Sequence, residues 1–507
     1  MKSAEEGALG RAERQFTTRR GWKRDDDMPS QRKRLRDYLK ARGMEVQVAE
    51  DGVDFTIRET WGELDVPDLM DQVLTRENLD QAVRQVVANG GAPGVDGMST
   101  AELPKFVEEH WNEIYEQLRA GRYFPSPVRR VTIPKPDGGE RNLGVPTVLD
   151  RAVQQAIAQV LTPIYEPIFS ESSFGFRPGR SAHQAVTKLL NDYKEGYTWA
   201  VDIDLSKYFD TLNHDMLMNA LRRTIHDETL LVTIKRFLKS GVMVDGVAQD
   251  TERGSPQGGN LSPLLANIYL NRFDELLEER GHRFCRYADD IIILVRSERA
   301  AERVMSSSID FLENTMKLKV NTDKSKVAKA TEVKYLGFTI NDYVNREGTR
   351  IIQVAIHRKA IDRFKDRVRI YLNEIGGWSV QKCLEVLNRY LRGWVNYYAL
   401  AGSRWQFQSL VKWARRKLRA KIWHQWKTSR NRFKRLMAIK PNQWQVAGCL
   451  VHARSHGTWH MSAFRPLQSI LSNRYLESLG FPDMLQMYEE AHTRLANRRI
   501  REVRTVV

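Results

Sequence analysis

Arg286-Tyr287-Ala288-Asp289-Asp290-Ile291-Ile292-Ile293-Leu294-Val295 sets two adjacent carboxylates at the head of an unbroken aliphatic run. Phe284 to Val295 reads as a hairpin, with the acids between its apolar strands. Two acids also suit an ordinary turn, so this pair acquires chemical meaning only with a partner elsewhere in the chain.

Trp199-Ala200-Val201-Asp202-Ile203-Asp204-Leu205-Ser206-Lys207-Tyr208-Phe209-Asp210 supplies that partner. Period-two alternation puts Asp202 and Asp204 on one strand face, opposite Trp199, Val201 and Ile203. Alternation alone does not choose between the two acids. A strand ending in carboxylates can meet the Asp289-Asp290 pair only through the fold. Such clusters suit Mg²⁺, a hard cation that takes oxygen ligands and keeps places open for phosphates. Two ions ~3.5 to 4 Å apart activate the attacking oxygen and stabilise the leaving one in phosphoryl transfer.

The remaining chain gives this pair a context. It has 507 residues, 41% hydrophobic and 28% charged, enough to bury several cores. Its longest strictly aliphatic run, Ile291 to Val295, is far short of the ~20 residues a membrane span needs, and the charged start lacks a secretory pattern. Cys285, Cys383 and Cys449 form no paired motif, which fits a reducing, cytoplasmic compartment. Net charge is +17, unevenly placed: residues 351–507 hold 30 basic and 9 acidic residues, leaving the remainder slightly acidic. Eight of twelve tryptophans lie in the same stretch. Basic side chains interleaved with aromatic faces point to a nucleic-acid surface, because so much like charge repels itself without a polyanion.

Along the chain, residues 1 to about 45 read as a polar basic arm. Helical spacing covers Leu79–Val87 and Ala101–Leu118, and a hairpin over Val128–Val145 turns at Lys135-Pro136-Asp137-Gly138. Helices are expected over Thr147–Tyr165, 214–240, Ser262–Glu279 and 299–316, strands near 333–340 and 350–356, and helices thereafter.

Further blocks extend the pattern in order: Gly94-Val95-Asp96-Gly97; Ser173-Phe174-Gly175-Phe176-Arg177-Pro178-Gly179-Arg180-Ser181; Gly254-Ser255-Pro256-Gln257-Gly258-Gly259; Asn321-Thr322-Asp323-Lys324-Ser325-Lys326; and Tyr335-Leu336-Gly337-Phe338. Together with Tyr-Ala-Asp-Asp and Asp204-x-x-x-x-Phe209, they resemble the group II intron-encoded reverse transcriptases, or maturases, over residues from about 75 to about 435. The resemblance implies an α+β fold: a right-hand polymerase, fingers and palm, followed by an α-helical thumb/maturase domain. The expected boundaries are a basic N-terminal extension over 1–75, fingers and palm over 76–350, the thumb or X domain over 351–435, and a nucleic-acid-binding extension over 436–507.

The resemblance also assigns roles. Asp204, Asp289 and Asp290 are the implied catalytic carboxylates, with the Leu205 carbonyl as a further ligand to two Mg²⁺ ions, Mn²⁺ serving as a substitute. Phe209 is the implied gate against a ribonucleotide 2′-hydroxyl. Lys135 and Arg141 are expected on the triphosphate, Gln257 beside nucleotide and template, and Lys324 as a candidate general acid for pyrophosphate. In Leu387-Asn388-Arg389-Tyr390-Leu391-Arg392-Gly393-Trp394-Val395, Arg389 and Arg392 fall opposite the apolar face, as on an RNA-facing helix. Arg415, Arg416 and Arg419 continue the basic stripe. The implied partners are group II intron RNA, a DNA target, an RNA template with DNA primer, and deoxynucleoside triphosphates, with no membrane. The setting is a bacterial cytoplasm, nucleoid-associated in use.

One block of the larger family members is missing. Many end in a zinc-supported endonuclease with paired cysteines, whereas Cys449 stands alone and Gly457 interrupts the series His452, His456, His460. The layout is reminiscent of the endonuclease-lacking bacterial class C introns. Two other readings stand beside the polymerase: an RNA-binding splicing factor with a vestigial polymerase, and a host-adopted reverse transcriptase in phage defence or repair. Retention of every catalytic Asp argues against the first, and the thumb motif against the second.

Overall fold

A computed structural model describes residues 15–17, 45–48, 54–58, 68–134, 140–244, 247–249, 258–374 and 377–505. It divides into two compact units, one of residues 1–189 and 199–328, the other of 190–198 and 329–507. The strands of the first unit are β1 (Gln15–Thr17), β2 (Glu45–Val48), β3 (Asp54–Arg58), β4 (Val128–Pro134), β5 (Glu140–Val145), β6 (Trp199–Ile203), β7 (Val242–Val244), β8 (Val247–Gln249), β9 (Arg283–Tyr287), β10 (Asp290–Val295) and β11 (Lys326–Lys329), whose last residue crosses into the second unit. The second unit contains β12 (Phe338–Val344) and β13 (Arg350–Ile356).

The first unit is built around the four-stranded sheet β11-β6-β10-β9. β10 runs antiparallel to both neighbours, with Ile291 opposite Ile203 on β6 and opposite Arg286 on β9. Sandwiched between them, its residues Ile291 to Val295 are all buried. The helix Ser262–Glu279 packs in the same core and is buried on nearly every side: Leu264, Leu265, Ile268, Leu270, Phe273 and Leu277 are buried, and so are the polar Asn267 and Asp274. At about 25 cal/mol per Å², each such side chain contributes about 1.5 to 3 kcal/mol of burial.

Polar side chains set the ends of the helices that frame this core. Thr147 caps the helix Val148–Tyr165 by accepting the Asp150 N–H, while its hydroxyl donates to the Asp150 carboxylate. Burial pushes the Asp150 carboxyl up to about 6. Tyr123 donates to it at 2.8 Å, so the polar group is buried with partners. Asp227 caps Glu228–Lys239 and also accepts the Met70 N–H at 2.7 Å, tying a distant helix to it.

In the second unit, β12 and β13 form an antiparallel hairpin from Phe338 opposite Ile356 to Val344 opposite Arg350. Gln406 brackets its end, accepting the Ile356 N–H and donating to the Ile356 carbonyl. Trp394 lies 4.5 Å from Phe364 and 5.5 Å from Phe407, ring centre to ring centre, joining the helices Arg358–Arg369, Val380–Tyr398 and Arg404–Gln425. Gly337 adopts φ +84° where a Cβ would lie 2.5 Å from the Tyr398 hydroxyl, so glycine is needed there for both conformation and space.

Several expectations need correction. Within residues 1 to about 45, read as an arm, β1 is a strand of a three-stranded sheet in the order β1-β3-β2, whose other strands follow at Glu45–Val48 and Asp54–Arg58; the arm's basic clusters lie outside the described residues. β7, β8 and β11 were not expected, being too short to show a period. The strand placed at 333–340 begins at Phe338, because Leu336 and Gly337 take positive φ in a turn closed by the Tyr335–Phe338 bridge. A boundary at 350 falls on the first residue of β13, whereas the compact units divide after Ala328.

Candidate active site

The β6–β10 register brings the two acidic motifs together. Ile203 pairs with Ile291; one residue further, Asp204 follows the first and Asp290 precedes the second, so both leave the ladder side by side. Asp202 instead pairs with Ile292, within the ladder.

Asp204 is held from a third side. Asn321 donates to its carboxylate at 3.0 Å, and the Asn321 N–H donates to its carbonyl at 2.8 Å. The Asp204 N–H in turn donates to the Ser325 hydroxyl at 3.0 Å. Asn321 and Ser325 are therefore site-building residues in a segment from which sequence reasoning selects only Lys324. A signal for them exists: amide and hydroxyl side chains in a turn commonly bond to backbone. Lys324 itself is exposed on that turn. Leu205, whose side chain is buried, sits in a single bridge with Val320.

The turn between β9 and β10 has only two residues, Ala288 and Asp289, with Tyr287 paired to Asp290. Such turns require a positive φ, usually at glycine; here Ala288 adopts φ +58°, at a cost of about 1 to 2 kcal/mol. Arg286 explains why the conformation persists. Its side chain is fully buried, donates to the Ala288 carbonyl at 3.1 Å, and pairs with the buried Asp274 carboxylate at 2.6 Å. It also donates to Asn267, which donates onward to the Gly175 carbonyl. Burial pushes the Asp274 carboxyl up, and the adjoining guanidinium opposes that shift. Gly175 lies so close to the turn that a Cβ would come within 2.3 Å of the Ala288 nitrogen.

Phe209 is half-buried, packed against the core and edge-on to Tyr208 at 5.3 Å, leaving part of its ring toward solvent. Lys135 and Gln257 lie outside the described residues, and Arg141 is described only as part of β5, opposite Ile133. In the second unit, Arg389 and Arg392 are exposed on Val380–Tyr398 while Leu387, Leu391, Trp394 and Val395 are buried, as the pattern predicts.

The other three arginines are placed differently. Arg419 is buried, donating to the Leu471 carbonyl at 2.7 Å and to Asn473 at 2.8 Å. Arg415 pairs with Glu477 at 3.1 Å. Arg416 donates to the Trp459 carbonyl and lies 3.8 Å above that indole. The stripe expected to face RNA is here bonded within the protein, because the chain from Thr458 onward supplies its acceptors. His452, His456 and His460 stack on one another, and among the described residues no three His, Cys, Asp or Glu side chains are grouped to hold a metal.

Comparison with known proteins identifies the family of both parts of the chain. A model of the family "Reverse transcriptase (RNA-dependent DNA polymerase)" matches residues 133–340, and one of "Group II intron, maturase-specific domain" matches 361–439. Protein YkfC of Escherichia coli is 36% identical over 53% of this chain and 82% of its own length. The group II intron-encoded protein LtrA of Lactococcus lactis is 26% identical over 64% of this chain and 68% of its own. A partial Cas6-RT-Cas1–Cas2 complex aligns at 28% identity over 50% of this chain and 43% of that one, with a TM-score of 0.33, too loose to bear on the fold. Among the described residues no helix is long and apolar enough to cross a membrane. Reverse transcriptases use divalent metal ions, and maturases bind intron RNA. With a carboxylate site in its first unit and a maturase domain in its second, the chain belongs to the group II intron-encoded reverse transcriptases/maturases and is an RNA-directed DNA polymerase.

Proposed function

We propose that Asp204, Asp289 and Asp290 are the catalytic carboxylates, and that the polymerase extends a DNA primer on an RNA template, copying intron RNA during retrohoming into a DNA target. The observation that carries this is the β6–β10 register, which sets Asp204 beside Asp290 at the mouth of a buried sheet. The donor set, carboxylates with the Leu205 carbonyl, fits a hard divalent cation, two Mg²⁺ ions or Mn²⁺ in their place. Those ions would supply charge neutralisation at the attacking and leaving oxygens.

Each protein group has a separate task in this scheme. Asn321 and Ser325 orient Asp204, and Arg286 fixes the turn bearing Asp289. Phe209 borders the sugar and excludes a 2′-hydroxyl by volume. Lys135, Arg141, Gln257 and Lys324 attend the incoming deoxynucleoside triphosphate. Arg389 and Arg392 face intron RNA, so the helical region that follows β13 acts as thumb and maturase domain, after fingers and palm in the chain. Residues 436–507 form an extension that, through Arg415, Arg416 and Arg419, braces that domain. The enzyme works in the cytoplasm at the nucleoid, on no membrane.

The test is extension of a DNA primer on RNA by purified protein, titrated with Mg²⁺ after chelation, alongside sequencing of the RNA that copurifies. Metal-dependent deoxynucleotide addition together with enrichment of a structured intron RNA supports the proposal. Extension that persists under chelation, or copurified RNA of random origin, overturns the corresponding half. A sharper arm is Phe209→Val, for which ribonucleotide incorporation relative to deoxyribonucleotide should rise at least severalfold. An unchanged ratio would make the ring a packing residue only.

A further inference from the structure

Phe176 departs from local rules in two ways at once. Its φ is +57°, a region that bulky residues rarely enter, and its side chain is 56% exposed. Left to itself, this tripeptide would turn the ring inward or relax the backbone. It does neither, because the chain on both sides is tied down.

On the N-terminal side, Phe174 is buried, and its N–H donates to the Arg286 carbonyl at 2.8 Å. Gly175 lies against the Ala288 backbone, and its carbonyl accepts from Asn267 at 2.8 Å. On the C-terminal side, the Arg177 side chain is 2% exposed, paired with Glu166 and donating to the Ser173 carbonyl. Phe176 is the one member of Phe174–Arg177 directed to solvent, its ring centre 6.5 Å from that of Tyr287. Strain of this kind persists only where the surroundings over-determine it, and it clusters at sites that hold ligands.

The sheet order identifies what the ring meets. Across β11-β6-β10-β9, Asp204 and the following Phe209 lie on the β6 side, and Ser173 bridges to Arg286 beyond the opposite, β9 side. In the proposed reaction the incoming nucleotide occupies the Phe209 side. The strand already paired must then approach from the β9 side, where Tyr287 stands two residues from Asp289 with Phe176 beside it. A ring without hydrogen-bonding groups suits sugars and base faces of any sequence.

We propose that Phe176, with Tyr287, forms an aromatic platform for the paired end of the primer–template duplex, acting as a positioning residue for the primer terminus. This rests on the carboxylate assignment above. The experiment is steady-state extension by wild type, Phe176→Ala, Phe176→Tyr and Phe176→Gly, varying an RNA–DNA primer–template and one deoxynucleotide separately, with thermal unfolding of each protein.

Phe176→Ala and Phe176→Gly should raise KM for primer–template on the order of ten-fold. KM for the deoxynucleotide should hold, and Phe176→Tyr should restore wild-type values. Phe176→Gly relieves the positive φ, so its unfolding midpoint should not fall; this keeps the test clear of misfolding. Folded variants with unchanged primer–template KM, or with deoxynucleotide KM raised instead, would overturn the platform while leaving the polymerase assignment standing. A wild-type protein that adds no nucleotide would remove that assignment itself.

Discussion

Arg286, though fully buried, holds the turn that carries Asp289. Bonded to Asp274, Asn267 and the Ala288 carbonyl, it converts a costly backbone conformation into a fixed one. Arg286→Gln should destabilise the protein by about 3 to 5 kcal/mol, because Asp274 is left buried and unpaired. The pair Arg286→Met with Asp274→Leu should recover most of that loss in denaturant unfolding, since the charges leave together. Extension should stay low in the double variant, because Ala288 still lacks its donor; recovery of both would reduce Arg286 to packing. A second residue test uses pH. Burial pushes the Glu275 carboxyl up to about 7. A carboxyl raised in the folded state binds its proton more tightly there, so stability falls as pH rises from about 4.5 to 7 and levels off above. Glu275→Gln should flatten that fall by on the order of 2 kcal/mol, read as the difference between the two proteins' unfolding curves.

At the scale of elements, the basic side chains of two helices have opposite fates. Val380–Tyr398 keeps Arg389 and Arg392 in water, as its spacing predicts, whereas Arg404–Gln425 spends Arg415, Arg416 and Arg419 on bonds to the helices beyond Thr458. Spacing reveals which face of a helix is apolar; it does not reveal that a partner far along the chain offers carbonyls and carboxylates to the basic face. Arg419→Ala should cost about 1 to 3 kcal/mol, because the buried Leu471 carbonyl loses its donor. Arg389→Ala should change stability by less than about 0.5 kcal/mol and weaken RNA binding instead. Equal effects at the two positions would refute the distinction. Elsewhere the elements are legible where their signals are long or periodic: Ser262–Glu279 and the β9–β10 hairpin can be read from spacing alone. The strands β7, β8 and β11 have three or four residues and offer no period, and the role of Asn321 is hidden because it depends on a carboxylate 117 positions away.

For the molecule as a whole, two kinds of electrostatics occupy different parts of the chain. Acidic groups converge in the first unit, and the basic excess lies in residues 351–507. Chemistry and RNA affinity should therefore separate under mutation. Arg389→Glu with Arg392→Glu should flatten the salt dependence of RNA binding, by roughly 0.7 to 0.9 in log-log slope for each phosphate no longer neutralised. Extension of a saturating short primer–template should survive that change. The converse variant addresses the central claim most directly: Asp289→Asn, assayed on one preparation for primer extension on RNA and for RNA binding across a salt series. Asp289→Asn should lose extension to background while keeping the wild-type salt slope and affinity. Extension near the wild-type rate by folded Asp289→Asn would contradict that claim.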